Sequence, residues 1–177
     1  MSKILAFSGS NSSTSINQSL IRYVSGLAGA EVVNLRDYNF PMFGEDLEKS
    51  DGIPADITTL QNKILAVDAV IISTPEHNGH LPAFFKNILD WLSRTGVKYL
   101  EGKLVLVLST SNGGGGAAKA AAALDRPVRY AGGELFATLS LPNYRDNFDR
   151  EAEVVINEEW NQIIKSTLNE MDIRLNA

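Results

Sequence analysis

A three-layer α/β fold, built on a doubly wound five-stranded parallel sheet of order 2-1-3-4-5, is what this sequence predicts. Three observations lead there. Short apolar runs and amphipathic helical stretches alternate five times along the 177 residues, the pattern of a parallel sheet with helices on both faces. Two of the runs, Ala69-Val70-Ile71-Ile72 and Leu104-Val105-Leu106-Val107-Leu108, carry no polar break, as strands covered on both faces require. The first, third and fourth runs each lead into a loop of small polar residues. In open parallel sheets, ligands bind beyond the carboxyl ends of the strands, at the point where the strand order reverses.

Taken in order, Ile4 to Phe7 is the first strand, followed by a tract of hydroxyls and small residues, Ser8 to Ser15. A helix starts near Ile16, with Leu20, Ile21, Val24 and Leu27 on one face and Gly26 and Gly29 at its end. Glu31 to Leu35 is the second strand. Arg36 to Pro54 shows no periodicity, and its Phe40-Pro41-Met42-Phe43 cluster is expected at an interface or over a ligand. Asp56 to Ala66 is helical, with Ile57, Leu60, Ile64 and Leu65 inward. The third strand ends at Ser73-Thr74-Pro75. After the loop to Leu81 comes a helix with Pro82 in its first turn and Phe84, Phe85, Ile88, Leu89 and Leu92 at helical spacing. Lys103 to Leu108 is the fourth strand, Ala117 to Leu124 an alanine-rich helix, and Glu134 to Leu141 the fifth strand. A last helix is expected over Asp149 to Leu168, its stripe made of Val154, Val155, Trp160, Ile163, Ile164 and Leu168. One domain over residues 1–177 accommodates all of this.

Composition excludes several classes of function. The net charge of −5 argues against a broad nucleic-acid surface. The absence of cysteine removes disulfides, thiolate metal sites and a cysteine nucleophile. No apolar run approaches the roughly 20 residues that span a bilayer, so no membrane partner is expected and a cytoplasmic location is the default.

Function is expected where three loops meet: Ser8–Asn17, Pro75–His80 and Ser109–Gly116. The first offers the hydroxyls of Ser10, Ser12, Ser13, Thr14 and Ser15, the amide of Asn17 and the N-terminus of the helix opening at Ile16. Backbone N–H groups and the helix dipole there suit a phosphate; the competing reading is a serine-rich turn with an N-cap. The loop is neither a Walker A motif nor Gly-x-Gly-x-x-Gly, and neutral donors for one terminal phosphate suit a flavin mononucleotide. In the third loop, four glycines, Gly113 to Gly116, leave room for a flat ring; the alternative is a flexible connection. Glu76-His77-x-x-His80 has a spacing that could hold a metal, but it lies in a loop and no cluster of further ligands accompanies it.

Thr74-Pro75-Glu76-His77-Asn78-Gly79, Pro82, Lys86-Asn87 and Asp90-Trp91, with Gly9-Ser10, Ser15 and Asn17, resemble the NADPH-dependent FMN reductase family. That family comprises flavodoxin-like quinone, chromate and azo-dye reductases, and the resemblance covers nearly the whole chain. It implies that Ser10, Ser15, Ile16 and Asn17 hold the FMN phosphate. It also implies that Pro75, Glu76, His77 and Asn78 lie along the isoalloxazine, that Ser109, Gly113 and Gly114 touch the ring from the third loop, and that Phe84, Lys86 and Trp91 serve core and dimer packing. It implies an NADH- or NADPH-dependent oxidoreductase that passes two electrons to a small-molecule acceptor in ping-pong order, without a protein nucleophile. The assembly it implies is a homodimer or tetramer. An FMN-binding electron carrier is the alternative. Two positions depart from the family pattern: the first loop has Asn11-Ser12-Ser13 where an arginine is usual, and His77 replaces a tyrosine. His77 is either a wall of the acceptor slot or an auxiliary charge beside the reduced flavin.

Overall fold

The five strands β1 (Ile4–Ser8), β2 (Glu31–Val33), β3 (Ala69–Thr74), β4 (Leu104–Thr110) and β5 (Glu134–Leu141) lie side by side in the order β2-β1-β3-β4-β5. Every neighbouring pair is parallel. A computed structural model describes residues 2–177. β3 and β4 are buried at every position, which is why their sequences carry no alternation. The helices are α1 (Ile16–Ala28), α2 (Glu45–Asp51), α3 (Ala55–Leu65), α4 (Ala83–Arg94), α5 (Ala118–Ala122), α6 (Asp125–Tyr130), α7 (Tyr144–Asn147) and α8 (Glu158–Leu175).

One core lies on each face of the sheet. Leu60, Ile64, Ile72, Phe85, Ile88, Trp91 and Val107 join α3 and α4 to one face. Leu20, Ile21, Val24, Ile71, Leu106, Ile164 and Met171 join α1 and α8 to the other. Register keeps the strand ends level: Ser8 pairs with Ser73, and Thr74 with Ser109. The three loops therefore leave the sheet at one edge.

Several expectations are corrected. The last helix begins at Glu158, not Asp149. Asn157 caps it by accepting from the Trp160 amide at 3.0 Å, and Glu158 and Glu159 fill a first turn that favours negative charge. Val154 and Val155 instead form β7, antiparallel to β6 (Phe148–Asp149). β2 stops at Val33, because the Asn34 side chain accepts from the Arg36 amide and opens a 3-10 turn over Leu35–Asp37. Leu27 and Leu65 are both 43% exposed, one helical step off the inward face.

The aromatics that suggested a second subunit are largely absorbed within the chain. Phe85 and Trp91 are fully buried. The Phe40–Phe43 segment is latched to α4. The Trp91 indole N–H donates to the Pro41 carbonyl at 2.8 Å, the Asn87 amide donates to the same oxygen at 3.0 Å, and the Phe43 N–H donates to Asn87 Oδ1 at 2.7 Å. The Asn87 and Trp91 positions of the Lys-Asn-x-x-Asp-Trp pattern thus hold the segment between the second strand and α3. Lys86 and Asp90 form an i,i+4 ion pair on the outer face of α4.

Candidate functional site

Asn17, in the first turn of α1, ties the ends of β3 and β4 together. Its side-chain amide donates to the Thr110 carbonyl at 3.0 Å, and its Oδ1 accepts from the Thr110 N–H at 3.1 Å and from the Ser73 hydroxyl at 2.9 Å. Only 1% of Asn17 is exposed. Its side chain is therefore spent on the frame, which leaves its backbone N–H as the donor it can offer a phosphate. The loops are fastened to one another elsewhere too: the Gly9 N–H donates to the Ser73 carbonyl at 2.8 Å. A Cβ at Gly9 would sit 2.4 Å from the Phe85 ring, so only glycine lets α4 pack behind the first loop.

The first loop curls on its own hydroxyls. Ser10 Oγ accepts from the Ser12 N–H at 3.3 Å, Ser12 Oγ from the Thr14 N–H at 3.3 Å, and Ser15 Oγ from the Gln18 N–H at 3.2 Å. Ser15 is thus the N-cap of α1, and Ser10 is buried at its back. Among the described residues, the amides of Ser13, Ser15, Ile16 and Asn17 have no protein acceptor. The last two stand in the first helical turn, where none is available within the helix. Unspent N–H groups, hydroxyls and no carboxylate make this an anion cradle by chemistry. Ile16 is half-buried beneath it.

The second loop is a tight turn. His77 and His80 exchange both backbone hydrogen bonds, at 2.9 and 3.1 Å. Asn78 and Gly79 between them have φ of +52° and +76°, the left-handed pair that a two-residue turn of this kind needs. His77 and Asn78 are exposed, and Pro75 is half-buried at the base. Glu76 points away from the turn: its carboxylate accepts from the amides of Lys119 and Ala120 at 3.1 and 3.3 Å. It caps α5 and so locks the second loop to the end of the third. Among the described residues there is no group of three or more metal-ligating side chains.

The third loop divides its glycines between two roles. Gly116 has φ of +57°, and a Cβ there would lie 2.7 Å from the Ser140 carbonyl oxygen. It is glycine for the sake of the frame. Ser109 serves the same end, fully buried, with its hydroxyl 2.7 Å from the Gly116 carbonyl and 2.8 Å from the Ser140 hydroxyl. At Gly113 and Gly114 the nearest atom to an added Cβ is 3.9 and 4.0 Å away, and at Gly115 there is none within 4 Å. These three border open space.

A fourth segment, residues 142–157, escaped the sequence reading because its valines fitted a helical stripe. It leaves β5 at the same edge. The Asn143 N–H donates to the Gly113 carbonyl at 3.1 Å and the Tyr144 N–H to the Ser111 carbonyl at 2.9 Å. Tyr144 is buried and stacked on Phe148, centroids 4.8 Å apart, and burial is the chief cause that pushes its phenol pKa up. Within the β6–β7 turn, Glu153 pairs with Arg22 of α1, whose Nε lies 3.0 and 3.1 Å from the two carboxylate oxygens. Arg22 holds the Glu153 carboxyl below the usual carboxylate range. A signal for the break was present in Asn157-Glu158-Glu159, a capping residue followed by acids.

Away from this edge, a groove of about 390 Å³ runs between α4 and α6, lined by Leu89, Val97, Tyr99 and Tyr130 among others. It holds none of the loop residues.

Residues 2–135 match the family model described as NADPH-dependent FMN reductase. Over 73 residues the chain is 38% identical to a quinone reductase of Escherichia coli, covering 41% of this chain and 39% of that protein. Over 111 residues it is 32% identical to an NAD(P)H-dependent FMN reductase of Pseudomonas aeruginosa, covering 62% and 60%. The chain spans half or less of the length of the first curated relatives it matches. Among solved structures it is similar to the flavoenzyme NAD(P)H:(acceptor) oxidoreductase FerB of Paracoccus denitrificans. There the TM-score is 0.80 at 25% identity, over 99% of this chain and 98% of that one. The fold is also that of an azoreductase from Bacillus anthracis, with TM-score 0.62, 18% identity and 99% coverage of both chains. Strand order, the three loops and the matched residues agree: the chain belongs to the NADPH-dependent FMN reductase family.

Proposed function

We propose that the protein binds FMN across its three loops and uses it to carry electrons from NADH or NADPH to a small acceptor of the quinone, azo or metal-oxyanion class. One observation carries the reading: the Asn17 side chain, from the start of α1, binds the ends of β3 and β4, while the Gly9 N–H fastens the first loop to the end of β3. These bonds aim the unspent amides of the first loop and the open face of Gly113–Gly115 at one volume.

The donor set fits the cofactor. The amides of Ser13, Ser15, Ile16 and Asn17 and the hydroxyls around them would hold the terminal phosphate. The Pro75–Asn78 turn and Gly113–Gly114 would flank the ring, with the missing glycine side chains giving it room. When bound, FMN supplies the reversible two-electron chemistry, reduced by the nicotinamide and reoxidised by the acceptor in ping-pong order. The protein's part is to hold the phosphate, fix the ring plane between two loops and leave one face open for each substrate in turn. Glu76 and Ser109 act by holding those loops in place. His77 stands exposed at the turn as a wall of the acceptor slot.

We read residues 1–177 as one flavin-binding unit. Self-association as a dimer or tetramer is proposed on the resemblance to the family, with the α4–α6 groove as the apolar surface a second copy would cover. Sedimentation as a 19.3 kDa species at micromolar concentration would refute it. A cytoplasmic site of action is consistent with the finding that no described helix is long and apolar enough to cross a membrane.

The test of function has two parts. Cofactor released from the reconstituted protein should have the mass of FMN; FAD, or no flavin, refutes the site. NADH or NADPH should then be oxidised in steady state with a benzoquinone, with parallel-line kinetics. Flavin bound without such turnover would make the protein a carrier.

A further inference from the structure

We propose that Arg150, from the turn between β6 and β7, is the cation that recognises the phosphate of the bound flavin. The inference rests on the flavin-site reading above. The phosphate loop itself, Ser8 to Asn17, contains no lysine or arginine. A phosphate monoester carries about −1.5 to −2 charges at neutral pH, and neutral donors alone would leave that charge uncompensated. Arg150 donates from its guanidinium to the Thr14 carbonyl at 3.2 Å, across 136 residues of sequence. Thr14 immediately precedes the N-cap of α1. The guanidinium is therefore seated on the rim of the anion cradle.

Its charge is not spent elsewhere. Among the described residues no carboxylate lies within ion-pair distance of Arg150, whereas Arg22, Arg94, Arg129 and Arg174 are all paired. Two of the neighbouring acids are engaged elsewhere. Asp149 Oδ1 accepts from the Glu151 and Ala152 amides at 2.9 and 3.0 Å, and Glu153 is held by Arg22. A guanidinium has five N–H donors, and the contact with Thr14 is the only hydrogen bond that Arg150 makes to the described protein. The remaining donors suit a phosphate, which arginine binds through its planar fork. The Asp149 turn and the Glu153–Arg22 pair hold this arginine over the loop.

Apo-protein titrated with FMN and with riboflavin, which lacks the phosphate, separates this role from a structural one. Arg150→Gln should weaken FMN about fivefold while leaving riboflavin affinity within error, the upper end of what an exposed charge contact supplies. Arg150→Lys should recover part of the loss, and raising the ionic strength should shrink the wild-type preference for FMN towards that of the glutamine variant. An equal loss for both flavins would make Arg150 a loop strut and overturn the proposal. An unchanged FMN-to-riboflavin ratio with a lost preference for NADPH over NADH would place its phosphate on the nicotinamide cofactor, and would also overturn it. A wild-type protein that binds neither flavin would overturn the flavin site itself, and the inference with it.

Discussion

Two sets of polar residues crowd the carboxyl edge of this sheet, and they do opposite work. Asn17, Ser73, Ser109 and Thr110 are buried, and their side-chain hydrogen bonds join α1, β3, β4, β5 and the third loop. Ser13, Thr14, Asn78 and Gly113–Gly115 are exposed and border open space or carry free donors. The residue types overlap, yet the first set is frame and the second is surface. A loop can present unspent donors to a ligand only if others spend theirs on holding the loop still. A buried polar group left without its partner costs about 1–3 kcal/mol, so the frame is where mutation should cost stability. The tips are where it should cost affinity.

The largest effect is expected at Asn17. Removing its amide orphans the Thr110 N–H and carbonyl and the Ser73 hydroxyl together. Asn17→Ala should lower stability by about 3 kcal/mol or more, read as a fall in the denaturant midpoint of the apo-protein. A variant as stable as wild type with only its FMN affinity reduced would move Asn17 from frame to surface.

The glycines of the third loop allow the sharpest paired test. Gly116→Ala places a Cβ against the Ser140 carbonyl at a left-handed φ, and should cost about 2 kcal/mol of stability. Gly114→Ala meets nothing closer than ordinary contact. It should leave stability within about 0.5 kcal/mol while weakening FMN by roughly tenfold, or about 1.4 kcal/mol. Thermal melts of the two apo-variants beside flavin titrations would show the two losses crossing over; parallel losses would dissolve the distinction.

Glu76 comes next. Its carboxylate caps α5 from the second loop. Glu76→Ala should cost about 1 kcal/mol of stability, as loss of a cap does. Glu76→Gln, which keeps an acceptor, should recover most of it. If instead Glu76→Gln abolishes turnover at unchanged stability, the carboxylate faces a substrate.

How much of this was legible follows from what each signal depends on. β3 and β4 read directly, because burial on both faces leaves an unbroken apolar run. The convergence of the three loops followed from parallel topology alone. Asn17 and Ser109 are legible as residues of this edge, but the hydrogen bonds of their side chains are not, since a side chain's direction at the end of a strand or helix is fixed by tertiary partners far away in sequence, such as Thr110 and Ser140. The Phe40–Phe43 cluster gave no local period because its partners, Asn87 and Trp91, lie in α4. The β6–β7 turn was hidden by coincidence: Val154 and Val155 fall in helical phase with Trp160, although Asn157 marks the true start of α8.

The smallest effect concerns the ion pair that holds this last segment down. Arg22 depresses the Glu153 carboxyl in the folded protein. A depressed acid contributes stability that is fully present above its unfolded pKa, about 4.3 for Glu, and is lost as pH falls through the folded value. Both side chains are more than two-fifths exposed, at 45% and 41%, so solvent screens the pair and its contribution is at most a few tenths of a kcal/mol. Global stability should barely change between pH 7 and pH 5 on this account. As pH falls below the unfolded value and through the depressed folded one, Glu153 protonates and frees Arg22, and the β6–β7 turn should open locally. Amide exchange at Ile156, whose N–H donates to the Asn147 carbonyl at 2.9 Å, should then rise before exchange in β3. Glu153→Gln should show the same local increase at neutral pH. Equal protection of Ile156 in the variant and the wild type would mean that the Tyr144–Phe148 stack and the hydrogen bonds to the first and third loops pin the segment, and that the ion pair adds nothing to its hold.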